Sequence, residues 1–317
     1  MAINTLQMAT NMTEALDKAV VQKAVTGFFA DNALGAKFVG AKTVSIPDMD
    51  QDGLGDYDRD NGYVQGGLTV NRTTYTLAMD RGRKFQLDRM DNDEVGIANL
   101  AGQVSGEFVR TKVVPEVDAY VLSKLAALAK TNSQTVSIGT SSTLAADCYT
   151  MFQKALMSVQ EACGFGEQEL VAFVSPTFLA ALNSSTAFTR SIIQSDFAKG
   201  DINMRVRSID GCAILPVSAA RMKSAFTFYD GTTDTSATDG GVNQKPGGFV
   251  PASGAKSVGL ILCPKTLGGL VKKTEKVRIF TPEQNQHADA WQIDYRIYYD
   301  YFTKKSEKKQ VWAYIEA

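Results

Sequence analysis

The chain has 317 residues, 44% hydrophobic and 21% charged, enough to bury a sizeable core as one large domain or roughly two to three smaller ones. Its 33 basic and 34 acidic residues nearly cancel, which excludes a global electrostatic pull toward nucleic acid, so any DNA contact has to be local. Four widely spaced cysteines show no CxxC pair, and the single histidine, His287, leaves no histidine-based metal cluster and no convincing Ser-His-Asp arrangement. No apolar run reaches membrane-spanning length and the N-terminus lacks a signal-peptide pattern, so the expectation is a chain that stays soluble where it is made, with its cysteines as buried hydrophobes.

In chain order, Thr13 and Glu14 followed by Leu16, Val20, Val21, Ala24 and Phe28 predict a short amphipathic helix ending near Gly27. Phe28, Phe29 and Phe38 give the next segment more apolar content than a free tail needs, so it is expected to pack on its own core or on a neighbour. A short strand from Thr43 to Pro47 leads into DMDQDGLGDYDRD at 48–60. Asp48, Asp50, Asp52 and Gly53 match the start of a calcium loop, but Arg59 stands where a bidentate glutamate is needed and no helices flank the stretch. It reads as a glycine-rich acidic loop. From Leu68 to Leu87 apolar residues alternate, with Asp80-Arg81-Gly82-Arg83 taken as a turn-like break. Two arms and an acidic tip make a hairpin of roughly 40 residues with too few apolar positions to fold alone, so it must lie on its own domain or reach another subunit.

Residues 93–130 carry the clearest helical signal, with Val104, Phe108, Val117, Val121, Leu125 and Leu128 at three- and four-residue spacing. Pro115 predicts a kink or restart, with Val114 pushed out of helical geometry. If continuous, such a helix would be about 50 Å long. A Thr/Ser/Gly linker at 131–142, a helix from Leu144 to Cys163, a buried strand ELVAFVS and a short helix opened by Ser175-Pro176 follow. A polar stretch, a turn at 205–211, the strand CAILPV, an irregular loop at 231–254 and strands at 256–263 and 268–280 complete an α/β middle third. Sharp alternation returns at the C-terminal end, with Trp291, Ile293, Tyr295, Ile297, Tyr299 and Tyr301 on one face and Gln292, Asp294, Arg296 and Asp300 on the other. The last stretch, KKSEKKQVWAYIEA, carries a solubilising basic turn and one further strand.

Motifs for chemistry are missing from the sequence: no GxGxxG after a strand, no GKS/T phosphate loop, no HExxH. The aspartate cluster is rich in glycine, which implies mobility where acid–base chemistry needs ordered carboxylates, so no catalytic, cofactor or metal residue is assigned. DRGRKF at 80–85 offers Arg81, Arg83 and Lys84, but Asp80 and Asp88 flank it and no aromatic residues interleave with basic ones beyond it. These cations read as ion-pair partners for a neighbour's acidic loop. Asp56, Asp58 and Arg59 in the loop, with Arg81, Arg83 and Lys84, are the candidate inter-subunit contacts.

Four stretches in order resemble one family: GLGDYDR followed by GYVQGG, then LAMDRGRKFQLDRMDNDEV, VVPEVDAY, and QIDYRIYYDYFTKKSEKKQVWAYIEA. Together they resemble the major capsid proteins of tailed double-stranded DNA bacteriophages, the HK97-like family, over nearly the full chain. The resemblance implies an α+β fold with an N-terminal arm at 1–42 and an extended β-hairpin E-loop at 43–82. It further implies a peripheral domain at 83–136 and 276–317 built on a long spine helix, and an α/β axial domain at 137–275.

By the same resemblance the expected role is structural, not enzymatic: self-assembly, as hexamers and pentamers, into the icosahedral phage head enclosing double-stranded DNA without sequence-specific binding. Assembly is expected in the host bacterial cytoplasm, with a portal protein as partner, no membrane, no cofactor and room for a decoration protein. Some members begin with a cleaved scaffolding-like domain, whereas here the arm starts close to Met1, which implies a separate scaffolding protein or none. One member crosslinks through a loop lysine, yet no lysine lies between Lys42 and Lys84. The alternatives are an encapsulin-like nanocompartment shell protein and a calcium-dependent binding module.

Overall fold

The computed structural model describes residues 24–32, 34–40, 42–60, 62–89, 105–136, 141–164, 169–184, 193–199, 202–233, 243–274 and 278–316; at 141–146, 193–199, 202–207 and 274 the description is of backbone alone. Most of the helix expected from Thr13, and residues 93–104 of the long helix, lie outside the described residues. The strands in chain order are β1 (Lys37–Phe38), β2 (Thr43–Gln51), β3 (Leu68–Thr76), β4 (Met79–Asp88), β5 (Thr135–Val136), β6 (Leu170–Val174), β7 (Ile193–Lys199) and β8 (Ile202–Ile209). They continue as β9 (Cys212–Pro216), β10 (Phe226–Phe228), β11 (Phe249–Pro251), β12 (Val258–Pro264), β13 (Gly269–Thr274), β14 (Arg278–Phe280), β15 (Ala290–Phe302) and β16 (Trp312–Ile315). The helices are α1 (Val114–Thr131), α2 (Ser141–Ala162) and α3 (Pro176–Ser184).

The long hairpin exists, and its first arm is longer than its apolar residues suggest. β2 pairs antiparallel with β3 from Thr43↔Thr76 to Gln51↔Leu68, so Asp48 and Asp50 are strand residues. Pro47 is tolerated because β1 pairs with Val44 and Ser45 alone, leaving the outer side of β2 an unpaired edge at Pro47. At the ribbon's base Val44 and Ile46 are buried with Leu34, Leu77 and Tyr298; beyond Ile46 no core lies beneath the ribbon among the described residues.

Asp80-Arg81-Gly82-Arg83 is not a break. β4 runs straight through it, paired antiparallel with β15 from Met79↔Tyr299 to Asp88↔Ala290. The polar run holds strand geometry because its alternate side chains reach polar partners on opposite sides: Asp80 meets Arg296 and Lys42, and Arg81 meets Glu116. Gly82 permits the close approach of β15, where a Cβ would lie 2.8 Å from the Tyr295 carbonyl oxygen.

Pro115 sits inside a helix that is continuous from residue 105 to 131, about 40 Å. Val114 keeps helical angles, φ −58° and ψ −50°, against expectation. The accommodation comes one turn earlier, as a π-turn at Val109–Val113, where the Val114 N–H bonds the Val109 carbonyl. An i→i+5 turn widens the helix ahead of the proline and makes room for its ring. Val117, Val121 and Leu125 are fully buried, against Phe28 and Phe29 of the arm and against Ile293, Tyr295 and Tyr299 of β15. From Ile297 to Tyr301 that strand is buried on both faces, so Asp300, expected on a solvent face, is buried as well.

The middle third centres on a seven-stranded mixed sheet of order β5-β16-β12-β6-β9-β8-β7. Strict alternation divides it: Val171, Phe173, Ile261 and Ala313 belong to the core with α1. Leu170, Ala172, Leu260 and Trp312 belong to the core with α2 and α3. The β8–β9 hairpin turns at Asp210-Gly211, both at positive φ (51° and 78°), as a two-residue primed turn requires. That turn is shorter than the expected 205–211, and the polar stretch before it forms β7 and β8. The expected grouping of all of 276–317 with the peripheral unit does not extend to β16. Its Trp312 and Tyr314 side chains need an apolar face on which to be buried, and it takes the place between β5 and β12.

Candidate assembly surfaces

The distal ribbon has two unlike faces. Because cross-strand partners share a face, Met49 with Val70 and Leu68 beside Gln51 lie on one side, while Asp48 and Asp50 with Asn71 and Thr69 lie on the other. Met49 and Leu68 are each 64% exposed, on the face opposite to the one that carries Val44 and Ile46 into the core. Spacing along a strand also separates Asp48 from Asp50 by about 7 Å, which is not the convergence of a calcium loop. Among the described residues no three His, Cys, Asp or Glu side chains come together as a metal site would need.

The tip has its own hydrogen bonds. Asp52 N–H donates to the Gly67 carbonyl at 3.1 Å, and Gly67 N–H donates to Asp52 Oδ2 at 2.6 Å. Asp58 and Gly62 bridge, Asp58 Oδ1 accepts from Asp60 N–H at 2.9 Å, and Tyr57 meets Tyr63 edge to face at 5.0 Å. Asp56, Asp58 and Arg59 all point into solvent, and Leu54 is fully exposed (107%). The tip is therefore an ordered knob carrying apolar and acidic side chains.

The candidate cations lie at the other end of the ribbon. Arg81 is engaged by its own chain: Nε and Nη2 donate to Glu116 at 2.8 and 3.3 Å, Nη1 to the Tyr229 carbonyl at 2.6 Å, and Nη2 to the Gly248 carbonyl at 3.2 Å. Tyr299 donates to the same Glu116 at 3.2 Å. Arg83 is exposed and donates to the Lys245 carbonyl at 3.1 Å. Lys84 is exposed on β4 opposite Asp294. Within one chain the structure does not bring the tip acids to these cations; nine paired positions of β2 hold them about 30 Å apart.

At the ribbon's base Asp80 takes Arg296 at 2.9 Å and Lys42 at 2.5 Å. The Arg296 hydrogen bond, reinforced by Lys42 against the opposing effect of burial, holds the Asp80 carboxyl down to about 2. Lys305 reaches Asp48 at 3.4 Å, a further strut under the ribbon.

Two buried carboxylates escaped sequence reasoning, since each was grouped with the polar residues of its element as part of a solvated face. Asp118, on the inner side of α1, accepts from Thr26 N–H (3.0 Å), Thr26 Oγ1 (2.7 Å), Val25 N–H (3.2 Å) and Arg221 (3.1 Å). Full burial pushes its carboxyl up while these four donors pull it down, and burial is the larger influence. Asp300 accepts from Ala78 N–H at 3.1 Å and Tyr120 Oη at 2.8 Å, tying the β3–β4 link to the helix. A helical periodicity broken by a single acidic residue at a core position was the one available signal.

No protein-family model matches the chain, and no curated protein does. Solved structures do. The capsid structure of the cyanophage P-SCSP1u is 11% identical, covering 89% of this chain and 85% of that chain with a TM-score of 0.54. The mature capsid asymmetric unit of bacteriophage PhiM1 is 11% identical over 87% of this chain and 82% of that chain, with a TM-score of 0.51. At such identities the likeness is one of fold, and the chain has the α+β, HK97-like fold of these capsid structures.

Proposed function

We propose that the chain is the major capsid protein of a tailed double-stranded DNA phage, assembling as hexamers and pentamers into the icosahedral head. The observation that carries this reading is the ribbon: a paired, ordered hairpin whose distal apolar side chains are left in water by the subunit, on a fold shared with two phage capsids. A repeated subunit buries such a surface against its neighbours in closed symmetry. Near-neutral charge suits a container that confines DNA without gripping it.

As part of this reading we keep the division into arm (1–42), E-loop (43–82), peripheral unit (83–136 and 276–317) and axial unit (137–275), and assign β16, a strand of the seven-stranded sheet, to the axial unit. Inter-subunit contacts fall to Asp56, Asp58 and Arg59 at the tip and to Arg83 and Lys84 on the receiving side. Arg81 is reassigned to holding its own subunit together. The role is structural. A portal protein at one vertex and a separate scaffolding protein fit the same reading, with the head assembled in the host cytoplasm. Electron microscopy of the purified protein after assembly tests it: closed icosahedral shells that retain duplex DNA when produced with the packaging machinery are expected. Shells that fill with a protein cargo instead would establish the nanocompartment alternative, and a chain that remains monomeric under all assembly conditions would overturn both.

A further inference from the structure

The chain leaving β15 runs beside the C-terminal half of α1. Asp300 accepts from Tyr120 Oη at 2.8 Å, and Asn132 Nδ2, at the helix end, donates to the Lys308 carbonyl at 3.0 Å. A rise of about 1.5 Å per residue puts those two helix anchors about 18 Å apart. Between them the charge is one-sided. Residues 121–136 and 303–310 hold six lysines, Lys124, Lys130, Lys304, Lys305, Lys308 and Lys309, against a single carboxylate, Glu307. That carboxylate is committed to its own chain, accepting from Gly268 N–H at 3.2 Å and meeting Lys304 at 3.6 Å. Lys305 meets Asp48 at 3.4 Å, and Lys124 meets Asp300 at 3.7 Å. Lys130, Lys308 and Lys309 are exposed and have no ion-pair partner among the described residues. The carbonyl end of α1 accounts for one cation, Lys130 in its last turn, but Lys308 and Lys309 exceed that need. Within 121–130 and 303–310 the only exposed residues besides lysines are Ala127 and Ser306, so the strip offers charge without an apolar anchor.

We propose that this lysine strip is the surface on which the subunit meets the phosphate backbone of the enclosed duplex. The inference rests on the capsid reading and locates within it the local contact that a chain of net charge −1 requires. Duplex DNA carries one negative charge for about every 1.7 Å of its axis, so a strip of about 18 Å faces several phosphates at once. Lysine suits the task, because a compact ammonium on a flexible stem meets a phosphate oxygen without reading a base. Contacts of this kind are independent of sequence and weaken with salt, so the duplex is held near the wall but free to slide along it. The acidic ribbon tip of a neighbour is the competing anion. It presents its carboxylates together with Leu54, Tyr57 and Tyr63, and a strip without apolar side chains would leave all three in water. Phosphate is the better match.

Fluorescence anisotropy of a short labelled duplex, titrated with unassembled subunits over a salt series, tests it. Lys308→Gln with Lys309→Gln is expected to weaken binding at low salt. It should also flatten the slope of log K against log salt by about 1.8, at about 0.9 per lost phosphate contact. Lys308→Arg with Lys309→Arg is expected to keep the slope. Lys112→Gln with Lys256→Gln removes the same charge from exposed positions away from the strip and is expected to leave the slope unchanged. Equal flattening by that control, or no flattening by the strip variant, overturns the proposal. Shells of the strip variant are expected in normal yield. Their loss at an unchanged subunit Tm would mark the strip as a seat for the neighbour's acidic tip and overturn the assignment to DNA. Failure of the unaltered protein to form shells would remove the capsid reading, while the anisotropy series still reads the strip by itself.

Discussion

Helix α1 and the β2–β3 ribbon are both long and regular, yet one has its apolar side chains closed over by its own chain and the other leaves its distal ones in water. Around α1 the apolar side is closed by its own chain, by the arm's phenylalanines on one flank and the β15 tyrosines on another. Along the ribbon, Met49, Leu68 and Val70 meet water, and burial stops at Ile46. Apolar side chains thus serve folding in one region and are left for association in the other. What separates them is whether a second layer lies within reach of the chain.

The contrast predicts that substitutions in the two regions fail differently. Val117→Asp is the severest: a charge at a fully buried position costs several kcal/mol, roughly 4 or more, and is expected to leave no soluble folded subunit by circular dichroism. Tyr295→Ala removes a ring packed on Phe108 and is expected to cost about 3 kcal/mol, read from the denaturant midpoint of unassembled subunits. If either variant gave normal subunits that could not form shells, the closed region would have to be counted as an interface.

Glu116→Ala leaves the half-buried Arg81 guanidinium with carbonyl partners alone and is expected to cost the subunit about 2 kcal/mol in the same assay. A loss confined to assembly would return Arg81 to the inter-subunit set. Asp80 gives a pH signature at the junction of the two regions. Its carboxyl is depressed from an ordinary 3.8 to about 2, so its stabilisation is full above pH 4 and is lost as pH falls toward 2. Asp80→Asn is expected to flatten that acid limb while lowering stability at neutral pH. The smallest effect per copy is at the tip: Asp56→Ala with Asp58→Ala should leave the subunit's melting unchanged and weaken each contact by about 0.2–1 kcal/mol. Light scattering of assembly against salt would show it, and an unchanged salt midpoint would count against these acids.

The long elements were legible because each repeats one period many times: alternation marks β15 and the arms of the hairpin, and three- and four-residue spacing marks the helix through Val117 and Val121, whereas the pairing of β4 with β15 was not legible. Errors fell where a residue's local preference met a tertiary demand. Pro115 implies a break, but a π-turn ahead of it absorbs the ring. The DRGR run implies a turn, but partners on both faces hold it extended. At the candidate contacts the sequence yields the acids and the cations but not their allocation, since Arg81 and Arg83 lie two residues apart on the same face of β4 and only Arg81 comes within reach of Glu116. Leu54 drew no notice among six aspartates; its importance depends on exposure, which composition does not report.

The place of β16 bears on timing. Tyr314 pairs with Val136 on one side and with Leu260 on the other, joining residues made far apart in synthesis beside the edge strand of the sheet. Contacts of such long sequence separation form slowly, after local hairpins and helices. The ribbon, a local hairpin, can form early and display Met49 and Leu68 before the sheet that completes the subunit has closed. A nascent chain therefore presents its adhesive element before its framework is whole. Late closure of the sheet makes premature sticking a hazard that grows with expression rate, and slowing synthesis or lowering the temperature should raise the share of chains that reach ordered shells in place of amorphous aggregate.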